Sequence, residues 1–156
     1  MSATLRITRG GVEQAAMIHR IMLESFAEYI GVLDPPSGST SETLEEVERV
    51  LRHGGAVIAW ESDIPIGAGR FITYTEHLYV GRLAVLPPFR GRGIGSAIME
   101  YMEGIARELG LPAVGVSVRK SLPRNLSLYR RLGYEIVSVE PHPRGPDETI
   151  LLVKTL

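Results

Sequence analysis

The sequence predicts a mixed α/β fold whose elements run β-α-α-β-β-β-α-β-α-β-β. Three observations predict it. Short apolar runs bounded by turn residues alternate with segments that repeat apolar residues at helical spacing. Three strand candidates in the middle of the chain follow one another through short turns, which reads as an antiparallel meander. Residues 83–96, Leu-Ala-Val-Leu-Pro-Pro-Phe-Arg-Gly-Arg-Gly-Ile-Gly-Ser, then carry a strand through a Gly-rich turn straight into an amphipathic helix, with another strand beyond it, a βαβ unit.

Each element has a local reason. Leu5 to Thr8 reads as a short strand. After Gly10-Gly11, Val12, Ala15, Ala16, His19, Met22, Leu23, Phe26 and Ile30 recur at helical spacing. Asp34-Pro-Pro-Ser-Gly-Ser-Thr is a loop by its turn chemistry. Ser39 with Glu42 three residues later makes a capping box for a second helix, which shows Leu44, Val47, Val50 and Leu51 on one face and ends at Gly54-Gly55. Strands are expected at 56–60, 66–74 and 78–86, where Pro87-Pro88 stops the ladder. Ile94, Ala97, Ile98, Tyr101, Ile105 and Leu109 form the stripe of a third helix that runs to Gly110. A strand at 112–118, a short helix at 124–132 closed by Gly133, and strands at 135–140 and 149–153 complete the order.

A chain of 156 residues fits one domain over 1–156. At that length roughly 70% of the unfolded surface can be buried. The net charge of −1 gives no footprint for general nucleic-acid binding. No apolar run reaches the ~18 residues of a membrane span, and Met-Ser-Ala-Thr-Leu-Arg lacks the apolar core of a signal peptide. A cytoplasmic protein with no nucleic-acid or membrane partner is the expectation. With no cysteine, thiol nucleophiles, disulfides and Cys-based zinc sites are excluded. His19, His53, His77 and His142 show no metal-ligand spacing, so no metal is expected.

The Gly-rich turn aims several backbone N–H groups into one small volume at the positive end of a helix dipole, a setting for phosphate. Gly91, Gly93 and Gly95 allow positive φ and close approach of a ligand, and a tight strand-to-helix turn is the simpler use of the same residues. It is not a P-loop, since no lysine follows Gly95. Nor is it the Gly-x-Gly-x-x-Gly dinucleotide fingerprint: Ser96 or Ile98 stands where the third glycine belongs.

The spacing Arg90-x-x-Gly93-x-Gly95, behind Val85 and Pro87, resembles the acyl-CoA-binding signature of the GNAT acetyltransferase superfamily. Asn125-Leu-Ser-Leu-Tyr129-Arg-Arg-Leu-Gly133-Tyr134 resembles the same family's Asn-x-x-x-Tyr-x-x-x-Gly-Phe/Tyr segment, at the expected separation. The element order resembles a GNAT fold along essentially the whole chain, while the diagnostic motifs lie in 80–134.

The resemblance implies an N-acetyltransferase that moves the acetyl group of acetyl-CoA to an amine by direct attack in a ternary complex. A non-catalytic acyl-CoA-binding or sensor module on the same fold is the alternative. It implies cofactor binding by Arg90, Gly91, Arg92, Gly93, Ile94, Gly95 and Ser96: the N–H groups of about Arg92 to Ser96 cradle the pyrophosphate, with Arg90 and Arg92 adding charge-assisted contacts or remaining solvated surface arginines. It implies too that Leu83, Ala84 and Val85 pair with the pantetheine arm as an added strand would.

Read alone, Tyr129 on a helix face suits core packing; the resemblance makes it the candidate general acid, since a phenol of pKa about 10 can give a proton or a hydrogen bond to a departing thiolate of pKa about 8.5. Asn125, one helical turn earlier, is a candidate cofactor ligand and also suits an N-cap near Pro123. The general base is not evident. Glu76 and His77 precede Leu83 by about 20 Å of extended chain, too far for direct proton transfer unless the substrate is long, and Glu24 and Glu28 on the first helix are alternatives. The acceptor, a small-molecule or peptide amine, is expected between the first two helices and the loops at 31–41 and 141–148. Many GNAT proteins are dimers, and the C-terminal strands suit such a contact in a homodimer.

Overall fold

Seven strands form one sheet in the order β1-β2-β3-β4-β5-β7-β6. The computed structural model describes residues 4–156, and in chain order they form β1 (Leu5–Gly10), α1 (Ala15–Phe26), α2 (Leu44–His53), β2 (Gly55–Glu61), β3 (Ile64–Thr73), β4 (Leu78–Val85), α3 (Ile94–Glu108), β5 (Ala113–Arg119), α4 (Pro123–Arg131), β6 (Glu135–Pro141) and β7 (Glu148–Thr155). The expected element order and type are found throughout.

Both faces of the sheet are covered, which is why β2 reads as a continuous apolar run rather than an alternating one. Val57 and Ala59 pack into the core beneath α3 and α4, and Ala56 and Ile58 into a second core beneath α1 and α2. Ile98, Met99 and Met102 of α3 are fully buried, each contributing about 1.5–3 kcal/mol of transfer free energy. A buried polar cluster sits in the same layer. Tyr134 Oη donates to Glu103 Oε2 at 3.0 Å, and Lys154 Nζ donates to Glu103 Oε1 at 2.9 Å.

Three local expectations are corrected. The stripe on α3 is rotated: Tyr101 and Leu109 are exposed, and Met99, Met102, Glu103 and Ala106 are buried in their place. On α1 the buried residues are Ala15, Ile18, Ile21, Met22 and Ser25, with Ala16 outside. Ser39 is not a helix cap. It lies in a short 3-10 turn, and α2 is capped by Thr43, whose Oγ1 accepts the Glu46 N–H at 3.2 Å. Glu42 is thereby released from a capping role and forms ion pairs with Arg70 and Arg82.

The feature that creates a site is the course of β4. It runs antiparallel to β3 along its length, but its parallel pairing with β5 stops at Val80↔Val116. Immediately beyond, Arg82 and Leu83 together face Gly69, a bulge in which Arg82 has φ 51. The bulge bends β4, and the strand continues to Val85 with no strand on its β5 side. A cleft opens between β4 and β5, floored by α4.

Candidate active site

On one side of the split sheet lies a cleft of about 560 Å³. Leu83, Ala84 and Val85 form one wall and Gly91, Gly93, Ile94, Gly95 and Ser96 line its end. Gly91 and Gly93 have φ of 77 and 78, the left-handed region that side chains disfavour. Gly93 starts α3 with no side-chain cap. The N–H groups of Ile94, Gly95 and Ser96 therefore have no intrahelical acceptor and face the cleft end at the positive pole of α3. From α4, Arg124, Asn125, Leu128 and Arg131 complete the lining.

A second cleft of about 420 Å³ adjoins the first and shares Phe26, Leu83 and Asn125 with it. Tyr129 lines this second cleft. It is 6% exposed, so only an edge of the ring reaches the cavity, and no hydrogen bond to its hydroxyl is present among the described residues. Burial, and secondarily the neighbouring Tyr79, push its phenol well above the ordinary value. Tyr129 is thus held as a neutral phenol whose O–H is available to donate. The Tyr79 and Ser117 hydroxyls hydrogen-bond to each other from β4 to β5 where the paired stretch ends.

Two loops roof this second cleft, and Arg119 of β5 clasps them together. Its Nη1 donates to the Pro35 carbonyl at 2.8 Å and to Asp147 Oδ2 at 3.3 Å, and its Nη2 donates to the Pro36 carbonyl at 3.2 Å. Gly145 packs so closely on Pro35 that a Cβ there would stand 2.4 Å from the proline ring. Burial raises the Asp147 pKa, but hydrogen bonds from Ser121, the Glu148 backbone and Arg119 outweigh it and hold the carboxyl below its ordinary value.

The profile described as the Acetyltransferase (GNAT) family matches residues 17–134, well over half of the sequence. The chain belongs to the GNAT acetyltransferase family. Among curated relatives it is similar to the S-alkylcysteine N-acetyltransferase of Bacillus subtilis (strain 168), 28% identical over 144 residues, which cover 80% of this chain and 75% of that protein. Its fold is similar to that of the PaiA N-acetyltransferase from Thermoplasma acidophilum, solved in complex with coenzyme A (TM-score 0.79, 17% identity, 98% of this chain and 99% of that one). It is also similar to that of the ribosomal-protein-S18-alanine N-acetyltransferase from Escherichia coli (TM-score 0.77, 13% identity, 97% and 94%).

In this GNAT chain the residues singled out from sequence fall into distinct places. Leu83 to Val85, Gly91, Gly93 to Ser96 and Asn125 all line the first cleft. Asn125 caps no helix: α4 begins at Pro123 without a side-chain cap. Arg90 also borders the cleft, but its donors are committed elsewhere. Nε donates to the Val85 carbonyl at 3.1 Å, Nη2 to the Ser25 carbonyl at 2.8 Å and Nη1 to Glu28 Oε1 at 2.6 Å. Arg92 stacks on Phe89, reaches Glu61 at 3.5 Å and is not part of the lining. Arg124 and Arg131 bring the side-chain charge to this cleft instead. Their spacing with Asn125 and Leu128 on one face of α4 is the signal that would have found them.

Glu28 is consumed by Arg90, and Glu24, Glu76 and His77 line neither cleft. His77 stacks on Tyr74 in the β3–β4 turn, and His19 bonds the Glu42 carbonyl at 2.7 Å. His142 does border the second cleft. Its Nδ1 accepts the Arg144 N–H at 3.2 Å, which leaves the ring proton on Nε2, and burial and then Arg119 lower its pKa. Among the described residues no cluster of three His, Cys, Asp or Glu side chains could hold a metal, and no helix is long and apolar enough to cross a membrane.

Proposed function

We propose that the protein is an N-acetyltransferase that takes acetyl-CoA in the 560 Å³ cleft and an amine in the 420 Å³ cleft, with direct transfer where the two meet at Asn125. The observation that carries this is the uncapped, glycine-led start of α3 at the end of a cleft whose wall is the unpaired length of β4. The amides of residues 93–96 suit a pyrophosphate, and Arg124 and Arg131 suit further phosphate oxygens. The free edge of β4 suits an extended pantetheine arm, less the Val85 carbonyl, which Arg90 occupies. Arg90 in this reading shapes the turn by tying it to the end of α1.

The chemistry follows from the groups at the junction. The amine nitrogen attacks the thioester carbonyl, the C–N bond forms and the C–S bond breaks. Tyr129, neutral and buried, donates a hydrogen bond to the leaving sulfur, and because burial disfavours a free phenolate, the thiolate takes its proton through the phenol as the phenol is reprotonated from solvent. An acceptor of lysine-like pKa must first shed a proton, at about 3.4 pKa units above neutrality. No carboxylate lines the second cleft among the described residues, but four arginines do. Their positive field disfavours the ammonium form and narrows that gap, so water suffices to carry the proton away.

Saturating acetyl-CoA, at ~100 times its Kd, is expected to stabilise the fold by about 2.7 kcal/mol, or roughly 5–10 °C in Tm. Thiol release over an amine panel then measures turnover, and Tyr129→Phe is expected to lower kcat roughly 100-fold or more while retaining the acetyl-CoA shift. An unchanged kcat removes Tyr129 as the acid. A shift with no turnover on any amine favours the acyl-CoA-binding module.

A further inference from the structure

Arg70 and Arg82 reach the second cleft from β3 and β4, Arg119 from β5, and Arg144 from the loop before β7. Four guanidinium groups around one small cavity repel one another unless anions offset them. Two do so from behind the lining. Glu42 takes Arg70 through both oxygens, with Nη2 donating to Oε2 at 2.9 Å, and Asp147 takes Arg119 at 3.3 Å. The cluster is left with two positive charges uncompensated.

The weakest compensation falls on Arg82, which shares Glu42 with Arg70, and on Arg144. Arg82 Nη2 stands 3.6 Å from Glu42 Oε2, beyond hydrogen-bonding reach, while the same carboxylate is already spent on Arg70. Its Nε is buried with no partner, a donor with unmet demand. The residue sits at the bulge with φ 51, a conformation that is strained for a side chain and that aims it where β4 leaves β5. Gly38 leaves room for it, since a Cβ there would lie 2.8 Å from Arg82 Nη2. Arg144 is exposed and pairs with no carboxylate among the described residues.

We propose that the acceptor is an amine that also carries a carboxylate, a free amino acid, held by Arg82 from the strand bulge and Arg144 from the roof loop with its amine toward Tyr129. This rests on the N-acetyltransferase reading above. The substrate carboxylate supplies the anion that the arginine cluster lacks, and Arg82, half enclosed, gives a stronger charge-assisted contact than an exposed arginine would.

The test supplies amines as matched pairs, each free L-amino acid with its own amide, in which the carboxylate charge is removed, and rates are compared per unprotonated amine because amidation also lowers the α-amine pKa. Acetylated product is identified by mass, and the acetyl-CoA thermal shift is measured on the same preparation. The acids are expected to exceed their amides by roughly 10- to 100-fold in kcat/KM. Arg82→Gln and Arg144→Gln are each expected to pull that ratio toward one, chiefly through KM. Arg144 is exposed, so its variant folds even if loss of Arg82 disturbs the bulge.

Amides as good as acids, a ratio untouched by Arg144→Gln, or an aminoalkyl phosphate preferred to every amino acid would each overturn the assignment and leave acetyl transfer standing. No amino acid acetylated while acetyl-CoA is bound overturns it as well. Absence of the acetyl-CoA shift overturns the acetyltransferase reading itself.

Discussion

The first cleft draws nearly all its lining from two short stretches, 83–96 and 124–131, and what it offers a ligand is mostly backbone: an unpaired strand edge and the open amides of a helix start. The second is lined from α1, α2, β3, β4, β5, α4, β7 and the loops between them, and what it offers is charge. Backbone groups are present whatever the side chains are, so a site built from them needs only glycines at the right turns and persists as the rest of the sequence drifts. A site built from arginines that meet from positions 70 to 144 of the chain can be rewritten one side chain at a time. The fold thus fixes one ligand class and leaves the other to substitution.

If the two clefts are separable, damage to one should spare the other. Arg119→Gln removes the clasp of the roof loops. The Arg119 and Asp147 side chains are only 14% and 9% exposed, so stranding the carboxylate is expected to cost about 2–4 kcal/mol, roughly 5–15 °C in Tm. Acceptor KM should rise while the acetyl-CoA shift survives. Loss of that shift along with the acceptor would show that the clefts form one cooperative unit.

Gly93→Val cuts the other way. With φ at 78 a β-branched residue is strained by about 1–2 kcal/mol, and the amide cradle should distort. Differential scanning fluorimetry should show a small drop in apo Tm and a near-complete loss of the acetyl-CoA shift. A retained shift would move phosphate binding from the turn to Arg124 and Arg131.

The smallest expected effect concerns acid. Burial raises the Glu42 pKa, but Arg70 and then Arg82 outweigh it and hold the carboxyl below its ordinary 4.5, and Asp147 likewise lies below 3.8. A folded-state pKa below the unfolded one contributes stability that is complete above the unfolded value and is lost as pH falls through the folded one. Tm should therefore be flat with respect to these two groups above about pH 5 and fall below it. Glu42→Gln should flatten part of that acid limb. An unchanged limb would assign acid sensitivity to groups outside the second cleft.

The contrast between the clefts also governs what was legible in the sequence. The first could be read because its parts are local. Proline stops β4, glycines turn the chain, and an apolar stripe starts the helix, all within 83–96. Arg90 and Arg92 mark where that reading thins out. Whether an arginine faces a ligand depends on which acceptors lie nearby, and Ser25, Glu28 and Glu61 come from elsewhere in the chain. In the second cleft the two loops were expected and do form the roof, but Arg70, Arg82 and Arg119 were not singled out. A charge inside an otherwise apolar strand was the available signal. Ser39 and Glu42 had the spacing of a capping box, yet Glu42 is drawn to Arg70, a partner 28 residues away.

By itself the sequence determined the element order, the family and the glycine-led turn. Each follows from periodicity, turn chemistry or short motifs, which act over a few residues. Tertiary structure alone decided the phase of the buried faces on α1 and α3, the bulge at Arg82, the point where β4 leaves β5 and the gathering of four arginines around two acids that neutralise only part of their charge. These depend on contacts between residues far apart in the chain, where packing volume and charge compensation outweigh local preference.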